Sequence, residues 1–257
     1  HETNKGLPQA RNTGLSLATG EFIYHCDSDD YLEENMLRVL YETAVHNRAD
    51  FVWCDYYLTY ANRERKISQY VDSSVEEALG ATLRGYLKYN VWNKLVRRDL
   101  YEKNKISFPS GHSMGEDMTM ILLLACAHKI KYVEQSLYHY VKNNQSAMTQ
   151  CISVKQIEDV LFNAQRIIDF LNTKKYDSVN VELFKLSVKL PLLISDDFSL
   201  YKLWNDIYPE SNEYIFANSE TSCRIKIVQY LASRNMYRLV WLNNKLIHEI
   251  LYKILYN

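Results

Sequence analysis

The chain has 257 residues, 47% of them hydrophobic, with 30 Lys and Arg against 31 Asp and Glu and a net charge of -1. That is enough apolar material for one large domain or two small ones, and the lack of a basic field excludes a nucleic-acid binder. Five widely spaced cysteines without a Cys-x-x-Cys pair read as reduced core thiols of a cytoplasmic protein, and no basic-then-apolar leader opens the chain.

In chain order, residues 8–18 predict a helix closed at Gly20, and Phe22–Cys26 predicts a strand. That strand runs straight into Asp27-Ser28-Asp29-Asp30. Three carboxylates within four residues repel one another unless a cation or hydrogen-bond donors stand among them, and strand ends are where α/β sheets bind ligands. A divalent metal gripping a diphosphate suits this arrangement. A calcium loop does not, because its required Gly and Glu fall on Leu32 and Arg38.

Asp30 with Glu33 predicts a capping-box start to a helix over 31–47, carried by Leu32, Met36, Leu37, Leu40 and Ala44. Phe51–Tyr57 predicts a strand and Asn62–Lys66 a solvated turn between extended segments. Ser74–Tyr89 predicts a helix. Val91–Val96 is read as extended, with Trp92 and Lys94 on one face, the indole flooring a sugar pocket or packing the core. A short helix follows over Arg98–Asn104.

The loop Ser107–Gly115 delivers Glu116-Asp117 to the start of a helix, Met118–Ala127, that is apolar on nearly every face and therefore buried. Lys131–Tyr140 predicts a strand and Asn143–Thr149 a polar loop. Beyond 151 the spacing turns helical over Ile157–Asn172, Val181–Ile194 and Ile225–Tyr256, which divides the chain into an α/β core, 1–150, and a helical region, 151–257. Residues 224–257 hold six Lys and Arg against one Glu around an apolar stripe. Such a segment packs on the core or on a second copy, or lies on an anionic membrane surface; its lysines are too frequent for a transmembrane span. No His-Glu-x-x-His zinc motif and no Gly-x-Ser-x-Gly elbow is present, and His25 and His139 read as packed core residues, while His112 lies where it could approach an acceptor.

Taken jointly, several motifs carry a resemblance. They are Asn4-x-Gly6-x(3)-Ala10-Arg11-Asn12-x-Gly14, Ala18-x-Gly20-Glu21-Phe22-Ile23, Asp27-Ser28-Asp29-Asp30, Trp92-Asn93-Lys94-Leu95, Phe108, Gly115-Glu116-Asp117 and Leu137-Tyr138-His139-Tyr140. In this order and spacing, over about residues 1–150, the chain resembles family 2 glycosyltransferases of the GT-A fold, in particular bacterial members that build surface polysaccharides.

The resemblance implies a Rossmann-like mixed α/β sheet, with the first nucleotide-binding strands expected upstream of His1. It implies inverting transfer from a nucleotide sugar, a UDP-sugar in the first instance, to a saccharide or lipid-linked acceptor, in the cytoplasm or at the inner membrane face. By the same resemblance Asp29 holds Mg2+ or Mn2+, with Asp27 as a second ligand or ribose contact. Asp117 is the base, with Glu116 beside it, and a helix N-terminus there would favour its ionised form. Arg11, Lys5, Lys94 and Trp92 would meet the donor, and Lys142 and Ser146 would sit in a loop over it. Asp30 is expected to cap the next helix. Two rivals use the same features: a sugar nucleotidyltransferase, which would release pyrophosphate, and a carbohydrate-binding scaffold without turnover.

Overall fold

The computed structural model describes residues 2–71, 74–142, 153–176, 178–195 and 197–256. The chain divides into two compact units, one of residues 1–82 and 86–175 and one of 83–85 and 176–257.

In the first unit, helix α1 (Leu7–Leu17) leads into strand β1 (Phe22–Tyr24) and a two-residue strand β2 (Tyr31–Leu32), then α2 (Met36–Asn47). The trunk of the sheet is β3 (Phe51–Tyr60), a ten-residue run rich in aromatics whose first six residues are all buried. One side of β3 pairs in parallel with β6 (Ile130–Val141), with an irregularity around Asp55. Its other side pairs antiparallel with β5 (Lys94–Arg97) at the start and with β4 (Arg63–Ile67) at the end. Strand β1 is antiparallel to β5, so it runs in the direction of β3 and β6. The strand order is β1-β5-β3-β6-β2, a mixed sheet of the expected kind.

Helices α3 (Val75–Leu83), α4 (Arg98–Asn104), α5 (Thr119–Cys126) and α6 (Val154–Thr173) complete this unit. α4 falls where its residues predict it. α5 buries every residue except Ala125, as a helix apolar on all sides must in water.

Three local expectations are corrected. Helix α1 ends on Ala18 in extended conformation, leaving Gly20 outside the cap. α2 starts at Met36 rather than 31, because Asp30 is engaged elsewhere: it accepts from the Tyr138 hydroxyl at 2.7 Å and the Val141 N–H at 2.8 Å, tying the acidic turn to β6. The stretch 63–67 is a solvent-exposed edge strand closed by a two-residue turn at Ala61-Asn62, not a turn itself. Its charges fit an edge that must stay unpaired. The thiols are divided as well, Cys54 and Cys126 being buried and Cys26 and Cys223 exposed; Cys151 lies outside the described residues.

The second unit is helical, with α7 (Ser178–Lys189), α8 (Phe198–Asp206), α9 (Cys223–Ser233) and α10 (Tyr237–Tyr256). The periodicity that predicts one helix over 225–256 misses a break at Asn235, whose φ of 59° is left-handed. Its core holds Phe184, Leu193, Tyr201, Trp204 and Val240. The fully buried Lys189 ammonium donates to the carbonyls of Ile207 and Tyr208 and to Asn212 Oδ1, and burial pushes its pKa down to about 7. On α10, Leu239, Leu242 and Leu246 stand exposed beside Arg238 and Lys245. Among the described residues no helix is long and apolar enough to cross a membrane.

Candidate active site

Strand β1 delivers the acidic turn to the carboxyl end of the sheet, the position from which an open α/β sheet meets its ligands. Helix α1 places Arg11 against that turn. The guanidinium is buried, at 7% side-chain exposure, yet it meets three carboxylates from two distant segments. Its Nη2 donates to Asp27 Oδ1 at 3.2 Å, and its Nη1 donates to Asp117 Oδ1 and lies 3.5 Å from Glu116 Oε1. The ring of Phe108 lies 5.5 Å below it. Burial opposes the Arg11 charge, but Asp117, Asp27 and Glu116 outweigh it and raise its pKa. The acidic turn and the Glu116-Asp117 pair, 90 residues apart in sequence, thus converge on one cation.

The pair itself arrives on Gly115. Its φ of 78° is left-handed, which favours glycine, and a Cβ there would stand 3.2 Å from the flexible end of Met118. Glu116–Met118 form a single 3-10 turn before α5. The expectation that a helix N-terminus keeps Asp117 ionised is corrected: burial raises its pKa, Arg11 draws it back down, and Asp27 adds to the rise. Burial and the neighbouring Asp117 push Glu116 up to about 7. Tyr89, missed in the sequence because nothing marks it, feels the same cluster and is pushed up to about 12 by burial and by Asp117.

These shifts carry a stability consequence. The folded chain holds a proton on Glu116 that the unfolded chain releases near 4.5, so this contribution is complete below that pH and is lost as pH rises through about 7. Glu116→Gln should therefore raise the melting temperature relative to the natural chain at pH 8 and leave it unchanged at pH 4. Calorimetric melting at the two pH values checks this; an equal effect at both contradicts the assigned burial.

The other predicted contacts differ in exposure. Asp29 is exposed on the turn and takes no hydrogen bond or ion pair among the described residues. Lys5 is exposed just before α1. Lys94 is buried, donating to the Lys88 carbonyl at 2.7 Å and to Asn93 Oδ1 at 2.8 Å, and burial pushes its pKa down to about 7. The charge of Asp117 partly offsets that fall, so Lys94 lies within electrostatic reach of that carboxylate. Trp92 lies in the turn before β5, not on a strand face with Lys94, and is 5% exposed. Its indole stacks on Tyr138 and Tyr140 and meets Tyr56 edge-on, so its faces are covered by tyrosines rather than open to a sugar. Lys142 lies over the Tyr140 ring, and Ser146 falls outside the described residues.

The histidines are accounted for structurally. His25 meets the Tyr101 hydroxyl at 3.2 Å, and burial, with help from Arg11, lowers its pKa to about 4. His139 is stacked between Tyr31 and Tyr57 and bridges Glu33 and Glu64. Asn12, adjacent to Arg11, clamps the backbone of Phe108 with both ends of its amide, at 2.8 and 2.9 Å. That reciprocal pair is a physical reason for the Arg-Asn dipeptide: one side chain gathers the carboxylates and the next anchors the loop that brings them.

Asp27 and Asp29 offer hard oxygen donors on one turn, the chemistry that suits Mg2+ or Mn2+. Among the described residues no set of three His, Cys, Asp or Glu could enclose a metal unaided. Two carboxylates fit a cation that completes its shell with phosphate oxygens and water.

The mixed sheet with Asp27, Glu116 and Asp117 gathered on Arg11 defines an α/β domain with an acidic site beside the end of β1. Residues 1–118 match the family model of Glycosyl transferase family 2. The putative glycosyltransferase EpsH of Bacillus subtilis is 30% identical over 148 residues, 54% of this chain and 43% of that protein. Glycosyltransferase GlyG of Streptococcus pneumoniae is 31% identical over 175 residues, 63% of this chain and 57% of that one. The chain spans about half the length of the curated relatives it matches. Among solved structures, Staphylococcus aureus TarS 1-349 superposes with a TM-score of 0.62 at 14% identity, covering 97% of this chain and 73% of that one. The same protein in complex with UDP-GlcNAc gives 0.58. These likenesses establish the GT-A-type fold.

Proposed function

We propose that the chain carries the catalytic part of an inverting glycosyltransferase, moving a sugar from a UDP-sugar to a saccharide or lipid-linked saccharide. The observation that supports this reading is Arg11 joining Asp27 to Asp117, two carboxylates from distant segments gathered on one buried cation. The family match and the UDP-GlcNAc complex of the TarS neighbour support the donor class.

Inverting displacement needs one group to take the acceptor hydroxyl proton as the anomeric carbon is attacked from the face opposite the leaving diphosphate. Asp117 serves as that base. Its raised pKa brings it nearer the working range of a general base, while the adjacent Arg11 keeps it ionised often enough to act. Glu116 beside it is pushed to about 7 by burial and by the charge of Asp117. Arg11 orients both and offers its remaining donor capacity to the diphosphate. Asp29, exposed and unengaged, with Asp27 behind it, would hold Mg2+ or Mn2+, which when bound neutralises charge developing on the departing diphosphate.

Asp29→Ala should leave folding unchanged, since the side chain is exposed and makes no hydrogen bond or ion pair among the described residues, and reduce turnover at saturating Mg2+ at least tenfold. A radiolabelled UDP-sugar transfer assay on the intact protein, run across a Mg2+ titration, reads this. Wild-type turnover in the variant, or in chelator, contradicts the metal assignment.

A further inference from the structure

The loop 107–115 that presents Glu116 and Asp117 is held from a second side, by α6. Asp159, Asn163 and Arg166 occupy positions i, i+4 and i+7 of that helix and so share one face. Two of the three are buried: Asp159 is 4% exposed and Asn163 1%. A buried carboxylate in a helix whose partners were only solvent would be costly, but every partner here is specific. Asp159 Oδ1 takes the His112 Nδ1 at 3.0 Å and the Lys155 ammonium at 2.6 Å, and Oδ2 accepts the Ser113 backbone N–H at 3.2 Å. Asn163 donates to the Met114 carbonyl at 2.8 Å, and Arg166 donates to the Ser107 carbonyl and to Thr119 Oγ1. The His112 ring stacks flat on Phe162, with centroids 3.7 Å apart. The contacts fall on both flanks of the acid pair: Ser107, His112, Ser113 and Met114 before it, Thr119 after it.

We propose that Asp159 is a positioning residue for sugar transfer, fixing through His112 and Ser113 the place at which Asp117 meets the acceptor hydroxyl. The inference rests on the transferase reading given above. Asp159 never reaches the reacting atoms; it acts through the loop. Although burial pushes the Asp159 pKa up, Lys155, His112 and the Ser113 N–H outweigh it and hold the group below its usual range, so it remains a charged anchor. A carboxylate anchor of this sort loses its directional hold when neutralised, and a displacement of about 1 Å at a reacting group costs on the order of 10²-fold in rate.

The test compares Asp159→Asn with Asn163→Ala and His112→Asn in the intact protein, measuring kcat, UDP affinity by calorimetry, melting temperature and amide hydrogen exchange over 107–118. Asp159→Asn is expected to lower kcat roughly 10- to 100-fold with UDP affinity within about twofold of wild type, and to speed exchange at Ser113 through Asp117. The milder variants are expected to give smaller losses of the same pattern, and they carry the test if Asp159→Asn does not fold. Folded variants with unchanged kcat and unchanged loop exchange overturn the proposal, as does an equal loss of kcat and UDP affinity with a lowered melting temperature, the mark of a merely structural role. If wild-type protein transfers no sugar, the transferase reading fails alone, because loop exchange still reports whether Asp159 anchors the acid pair.

Discussion

Asp117→Asn should slow sugar transfer by roughly 10²- to 10⁴-fold, the range contributed by a positioned general base, while UDP-sugar binding stays close to wild type. The amide keeps the size of the carboxylate but repels the Arg11 Nη1 if its NH2 faces inward, and it cannot take a proton in either orientation. Because Asp117 is shifted upward by burial, the wild-type kcat should rise with pH as the group ionises, and the variant should lose that limb of the profile. Steady-state kinetics between pH 5 and pH 9 measure both. Turnover within tenfold of wild type, with the rising limb intact, would assign the base elsewhere.

Arg11→Met should have the second large effect, on stability before chemistry. Removing the cation leaves three carboxylates facing one another around a buried hole. Breaking a fully buried pair costs about 3–5 kcal/mol, and since Asp27 and Asp117 retain 29% and 27% side-chain exposure, solvent screening brings the loss here below that range, to about 2–3 kcal/mol. The sign of the pH dependence follows. Without Arg11 the pKa values of Glu116 and Asp117 climb further, so acid relieves the repulsion by protonating them, and the loss should shrink between pH 8 and pH 5. Urea unfolding at those two pH values reads the difference, and a pH-independent loss contradicts the cluster as described.

What the sequence disclosed, and what it hid, divides along the range of the interactions involved. Strand β3 and the all-apolar helix α5 were legible because their signals are local: an aromatic and β-branched run, and a stretch with no polar face. The convergence of Asp27 and Asp117 was foreseen only through the resemblance. Nothing in either segment alone points to the other, and Arg11 is the physical link. Asp30 looked like a helix cap because Glu33 follows at capping-box spacing, yet Tyr138, 108 residues away, claims it. Lys94 and Trp92 alternate correctly for one strand face, but Trp92 belongs to a turn, and both side chains are buried. Asp159 was invisible to periodicity, which counts any carboxylate as a solvent-facing position; only the loop packed against it explains why it is inside.

The most direct test of the account follows a UDP-sugar and its acceptor through a single reaction with the intact protein in Mg2+, reading the nucleotide product by chromatography and the new glycosidic bond by proton NMR. One cleft with one base predicts free UDP and an inverted anomeric centre, both abolished together in Asp117→Asn. Pyrophosphate as the released species, or a linkage that keeps the donor's configuration, would contradict it.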